Sequence, residues 1–246
     1  MDVNRDPGQL STHCWQAFAT AAYVGTHLVT GGSITRVDEG GAGYLSGTVP
    51  IIVAPNHLGH GDGGIVATSL PLARRRRMRL VADHHSVSLW SGAPDWRTRV
   101  WHRLLLALTV KSYRAIVVLG DLRGPAAVAA MVAAMEAGDT ILIFPEGDFG
   151  TADSLRPLRP GVAALAIETG AVIVPIRIDG TSRAMPTFRR LRTRPQATAR
   201  FRPPIVARPG EPEEALLARL AQTLSPDPLI RAGFSQDAAH SLTEDL

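Results

Sequence analysis

Cysteine is nearly missing from this 246-residue chain: Cys14 stands alone, so no internal disulfide can form, and a single thiol is compatible with a reducing compartment. Aromatic residues make up only 5% and are not interleaved with the basic ones, so the stacking platform of a nucleic-acid binder is absent and no nucleic acid is expected as a partner. Lysine is scarce, the 26 basic side chains being almost all arginine, and the net charge is only +4. No long hydrophobic run occurs. The nearest approach, Cys14 to Val29, lacks Asp, Glu, Lys and Arg but carries Gln16, Thr20, Thr26 and His27 and is too short to span a bilayer. It reads as a helix at about residues 12–30, lying against the body of the protein or in the bilayer interface. Met1 to Leu10 lack the basic start and apolar centre of a secretory signal, so the chain is expected on the cytosolic side. Linkers and internal repeats are missing too, and with 45% hydrophobic residues the sequence is expected to fold as one domain over 1–246.

What is present begins with Pro55-Asn56-His57-Leu58-Gly59-His60-Gly61-Asp62. The stretch follows the apolar residues Val49, Ile51, Ile52 and Val53, which read as a buried strand, and its glycines permit a tight return. Asp62 falls at or near the start of the next helix, where the positive helix end favours a carboxylate. An imidazole at His57 held through one nitrogen by Asp62 keeps the other nitrogen basic, which is the requirement for a general base. Two other readings stand beside this one. The pair can be a solvated turn, or His57, His60 and Asp62 can join His84 and His85 around a metal, although their spacing matches no established ligand pattern and no metal is expected.

A second apolar strand, Thr140 to Ile143, runs into Phe144-Pro145-Glu146-Gly147, placing a glutamate at a strand end, where open α/β sheets bind ligands. Leu158-Arg159-Pro160-Gly161 then opens a helical stretch from Val162 to Glu168, followed by a buried strand from Ala171 to Ile176. The remaining pattern predicts strands at Arg79 to Ala82 and Ala115 to Leu119, with helices at Arg97 to Val110, Pro125 to Ala137 and Pro212 to Leu224. Phe188 to Arg202 reads as irregular, and the tail from Ser225 has no strong pattern. Alternation of this kind points to an α/β fold with a mainly parallel central sheet flanked by helices.

In these ordered blocks the chain resembles the glycerolipid acyltransferase family, the PlsC-type enzymes that include lysophosphatidic acid acyltransferase. The family's Asn-His-x-x-x-x-Asp block matches Asn56, His57 and Asp62; its Phe-Pro-Glu-Gly block matches Phe144 to Gly147. Its Phe-Lys-x-Gly stretch is similar to Leu158 to Gly161, its Val-Pro-Val/Ile strand matches Val174 to Ile176, and the likeness runs from about Gly47 to Ile205. The resemblance implies His57 and Asp62 as the catalytic pair. It also implies a substrate-binding set of Asn56, Phe144, Pro145, Glu146, Gly147 and Arg159, with Arg123 as a possible substitute for an arginine of the second block. Glu146 is expected to accept hydrogen bonds from acceptor hydroxyls. Where the family continues Thr-Arg-Ser after its glutamate block, this chain has Asp148-Phe149-Gly150. That exchange removes a forked phosphate donor and adds a negative charge, which favours a neutral hydroxyl acceptor.

The implied activity is transfer of a fatty acyl group from a thioester, on coenzyme A or acyl carrier protein, to a hydroxyl of a lysolipid or glycolipid-like acceptor. No cofactor is expected beyond that co-substrate, and peripheral contact with the cytosolic face of a membrane is. Arg74 to Arg77 and Arg79 form either a solvated face or a dock for anionic headgroups. Trp90, Trp96 and Trp101, with the following leucines, form either an apolar surface beside that charge or part of the core. Two other functions use the same residues: a thioester or ester hydrolase with water as acceptor, and a non-catalytic lipid-binding protein.

Overall fold

The computed structural model describes residues 33–47, 49–59, 61–83, 112–118, 124–181 and 196–226, with single positions 14, 17, 21 and 100. Its strands are β1 Ser33–Asp38, β2 Ile51–Pro55, β3 Met78–Asp83, β4 Ile116–Val118, β5 Thr140–Leu142, β6 Val172–Asp179 and β7 Gln196–Phe201. They form one seven-stranded sheet in the order β1-β7-β6-β2-β5-β3-β4. From β6 to β4 all neighbours are parallel, whereas β7 runs antiparallel to β6 and carries β1 parallel to itself. The helices are α1 Asp62–Ser69, α2 Leu72–Arg76, α3 Pro125–Glu136, α4 Gly161–Thr169 and α5 Glu213–Leu224.

Because successive strand residues face opposite sides, each central strand feeds two cores, and the apolar runs are continuous rather than alternating. Ile51, Val53, Val174 and Ile176 pack with Ile65, Val66 and Leu70 of α1 and its flank. Ile52, Ala54 and Ile173 pack on the other face with Met131, Met135, Val162, Leu165, Leu216 and Leu220 of α3, α4 and α5. The class is the one expected, a mainly parallel sheet between helices.

The expected elements shift at their ends for identifiable reasons. Pro50 separates the exposed Val49 from β2, which begins at Ile51. β6 continues past Ile176 to Asp179, since the side chain of Arg177, which interrupts the apolar pattern, finds polar partners while remaining buried. Two strands went unread. Residues 196–201, expected to be irregular, form β7: Ala197, Ala199 and Phe201 are buried while Gln196, Thr198 and Arg200 face out, a period of two masked by the arginines. β1 is an edge strand with a largely exposed, polar pattern.

The arginine cluster divides. Arg74 is buried, its guanidinium bonded to the carbonyls of Leu45 (3.1 Å), Val49 (2.6 Å) and Tyr44 (3.2 Å), and Arg75 bonds Thr68 O and Leu70 O. These two tie α2 to the preceding segments, Arg74 buried and Arg75 half-buried, while Arg76 and Arg77 remain exposed. Of the helix expected at about 12–30, only positions 14, 17 and 21 are described, and they are helical. The tryptophan region and residues after 226 lie outside the described residues, and of the helix expected at 97–110 only position 100 is described, which is helical. Among the described residues no helix is long and apolar enough to cross a membrane.

Candidate active site

The site sits where β2 leaves the sheet. Its last pairing with β6 is Pro55↔Ile176, after which β6 continues with β7 alone and the edge it turned toward β2 would leave the backbone of Ile178 unpaired. Asn56 fills that gap: its Nδ2 donates to Ile178 O at 3.1 Å and its Oδ1 accepts from Ile178 N at 2.6 Å, so a side-chain amide stands in for the departing strand. Asn56 has no exposed surface. Its buried side chain therefore braces the end of β6, a part other than the substrate contact that the resemblance implies.

His57 comes next, and its ring is oriented by Asp62. Nδ1 lies 3.0 Å from Asp62 Oδ2, and the same oxygen accepts Leu58 N at 2.6 Å and Gly59 N at 2.7 Å. Asp62 is fully buried at the first position of α1, and its own amide donates back to Gly59 O at 3.1 Å. The turn thus closes on one carboxylate oxygen, whose charge also meets the positive helix end. Since the carboxylate accepts, Nδ1 carries the proton and Nε2 is the free basic nitrogen. The imidazole stacks on Phe144 with ring centroids 3.9 Å apart and an interplanar angle of 21°, and packs against Phe149 at 4.4 Å. Its side chain remains 14% exposed.

The loop after β5 grips the backbone of the same histidine. Glu146 Oε1 accepts His57 N at 2.8 Å, its Oε2 accepts Arg156 N at 2.8 Å, and Gly150 N donates to His57 O at 2.7 Å. Glu146, expected to face acceptor hydroxyls, is only 3% exposed and holds two backbone amides instead. Burial pushes its carboxyl above the ordinary value of 4.5; the amides of Arg156 and His57, then the charges of His57 and Arg177, work in the opposite direction. A Cβ at Gly150 would press on Glu146 Oε2, so a larger residue there would displace the carboxylate from the amides it holds. Gly147 adopts φ +66°, and a Cβ on it would meet the Arg159 side chain, which places that guanidinium against the Phe144–Gly147 turn. Pro145 is buried, and its carbonyl accepts Arg159 N at 2.8 Å.

Asp148 does not stand alone as the sequence suggests. Arg156 Nη1 lies 3.2 Å from its Oδ2, and its Oδ1 accepts Phe149 N at 2.7 Å. Sequence reasoning missed Arg156 and the packing of Phe149 on His57; no motif marks either. It also passed over Arg177, a single charge inside the apolar run from Ile173 to Ile178, which is a visible signal. Arg123, His60, His84 and His85 lie outside the described residues. Among the described residues no three His, Cys, Asp or Glu side chains are grouped to hold a metal.

The acyltransferase family model matches residues 36–179, more than half of the chain and all of the elements just described from β2 to β6. Among solved structures the chain is similar to the 1-acyl-sn-glycerophosphate (LPA) acyltransferase PlsC from Thermotoga maritima. The TM-score is 0.56 at 15% identity, covering 90% of this chain and 82% of that one.

Proposed function

The chain belongs to the acyltransferase family, and on that premise we propose that it moves a fatty acyl group from an acyl thioester, carried by coenzyme A or acyl carrier protein, to a hydroxyl of a lysolipid or glycolipid-like acceptor. The supporting observation is the 3.0 Å contact between His57 Nδ1 and the buried Asp62. His57 Nε2 takes the proton of the acceptor hydroxyl as its oxygen attacks the thioester carbonyl, and Asp62 stabilises the imidazolium. The tetrahedral intermediate collapses with loss of the thiolate, which receives the proton back from His57. No acyl-enzyme and no cofactor beyond the co-substrate are required. The amides of Gly59 and Gly147 are already bonded, to Asp62 and to Phe144 O, so the first-turn amides of α1 at Gly63 and Gly64 are the candidates to stabilise the oxyanion.

The acceptor carries a neutral hydroxyl group. Asp148 occupies the outer wall and engages Arg156, so a phosphate placed there meets a carboxylate and a guanidinium already in use. Phe149 is not the place to restore a phosphate-binding arginine, since it packs on His57. Peripheral contact with an anionic, cytosolic membrane face involves the exposed Leu72, Arg76 and Arg77, and nucleic acid is not a partner.

Incubating the protein with labelled acyl-coenzyme A and a lipid extract tests this reading, the expected product being an acylated lipid that His57→Ala does not form. Free fatty acid without an acylated lipid would identify a hydrolase, and an untouched thioester would leave only lipid binding. With defined acceptors, Asp148→Asn should raise the ratio of lysophosphatidic acid to neutral-lipid acylation by up to about fivefold, the limit for an exposed ion pair. A wild-type preference for lysophosphatidic acid would refute the neutral acceptor.

A further inference from the structure

A cavity of about 440 Å³, in the size range of small-ligand sites, opens beside the antiparallel end of the sheet and is lined by Glu39, Arg177, Asp179, Arg200, Arg202 and Pro226. Neither His57 nor Asp62 lines it. Arg177 and Arg200 are direct cross-strand partners, an arrangement in which like charges repel unless an anion lies between them. Asp179 supplies part of that anion, 3.1 Å from Arg177 Nε and 3.4 Å from Arg200 Nε. Glu39 pairs with Arg202 and lies 3.6 Å from Arg200 Nη1. Among the described residues that line it, three guanidinium groups against two carboxylates leave one positive charge, and Arg177 is only 1% exposed. The other bonds of Arg177 go to neutral carbonyls, Ala152 O at 2.5 Å and Leu224 O at 3.4 Å, which do not cancel it.

We propose that this cavity is an anion subsite that takes a phosphoryl group of a substrate, held between Arg177, Arg200 and Arg202. The excess charge selects an anion, and planar guanidinium forks match phosphate oxygens. The long contacts of Arg200 to both carboxylates are the ones an incoming phosphate competes for. Occupancy communicates with the catalytic histidine through one loop: Arg177 holds Ala152, and the same loop pins His57 through Gly150 N and Glu146 through Arg156 N. Coenzyme A bears such a group and is the substrate the subsite fits, an assignment that rests on the acyl-transfer reading, whereas a phosphate-headed lysolipid there would run against the neutral acceptor.

Calorimetric titration of the full chain with inorganic phosphate and with coenzyme A, without turnover, tests the subsite itself. Arg200→Gln should weaken phosphate binding by about tenfold or more, the loss of one charge-assisted hydrogen bond, and Asp179→Asn should strengthen it by removing a competing carboxylate. A network that only staples strands predicts lower melting temperatures for both variants and no opposite movement of affinity. That result, or no phosphate binding by the wild type, overturns the proposal. Steady-state kinetics then test the source: a raised KM for acyl-coenzyme A in Arg200→Gln assigns the donor, and a raised KM for lysophosphatidic acid alone overturns that assignment and the neutral acceptor with it. Phosphate binding that follows this pattern in a protein with no transfer activity would retain the subsite and refute the acyl-transfer reading.

Discussion

The loop after β2 closes on itself, whereas the loop after β5 closes on its neighbour. In the first, Asp62 satisfies Leu58 and Gly59 and orients His57 within a few residues of chain. In the second, Glu146 and Gly150 spend their bonds on the backbone of His57, a residue 89 positions away from Glu146. One loop therefore sets the tautomer and angle of the imidazole, and the other sets where that imidazole stands. Changes in the first should alter chemistry more than folding, and changes in the second should do both.

The largest expected effect lies in the self-closing loop. His57→Ala should lower kcat/KM for acyl transfer by roughly a hundredfold to ten-thousandfold, the range for a positioned general base, while urea denaturation remains close to wild type. An equal loss of stability and activity would erase the distinction between the loops. Glu146→Ala comes next, because it leaves the part-buried amides of His57 and Arg156 without their acceptor; unfolding free energy should fall by about 1–3 kcal/mol and activity should fall with it. Glu146→Gln, which restores one acceptor, should recover part of both. If Glu146→Ala changed KM for the acceptor and left stability intact, the residue would instead touch substrate.

The arginines of α2 provide a control outside both loops. Arg74→Gln should cost about 1–3 kcal/mol, since three carbonyls lose a charged donor, whereas exposed Arg76→Gln should stay within about 0.5 kcal/mol. Equal stabilities in thermal melts would show that the buried guanidinium is dispensable. The smallest effect concerns pH. Burial raises the Glu146 carboxyl above 4.5, so the fold favours the protonated form. That contribution is fully present below 4.5 and disappears as pH rises through the raised folded value. The stability of the wild type relative to Glu146→Gln should decline across this window in a urea series. A relative stability that rises with pH would mean the two backbone hydrogen bonds outweigh burial.

Sequence alone determined whatever is local and periodic. The continuous apolar runs of β2, β5 and β6 announced strands buried on both faces, and the five-residue spacing of His57 and Asp62 announced a turn that could orient an imidazole. Gly124-Pro125 and Gly138 bracketed α3, because one permits the entry and the other the exit. Only the tertiary structure decided what depends on partners distant along the chain. Spacing along the chain does not reveal that the Asn56 amide bonds Ile178, 122 residues away. Arg74 and Arg76 are indistinguishable in a run of arginines, and helix geometry turns one toward three carbonyls and the other toward water. The burial of Glu146 and the like-charged pair Arg177 and Arg200 arise from strand order, which fixes neighbours that spacing along the chain does not specify. Hydrogen bonding and ion pairing act over a few ångströms, so a side chain's role is set by what the fold brings within that reach.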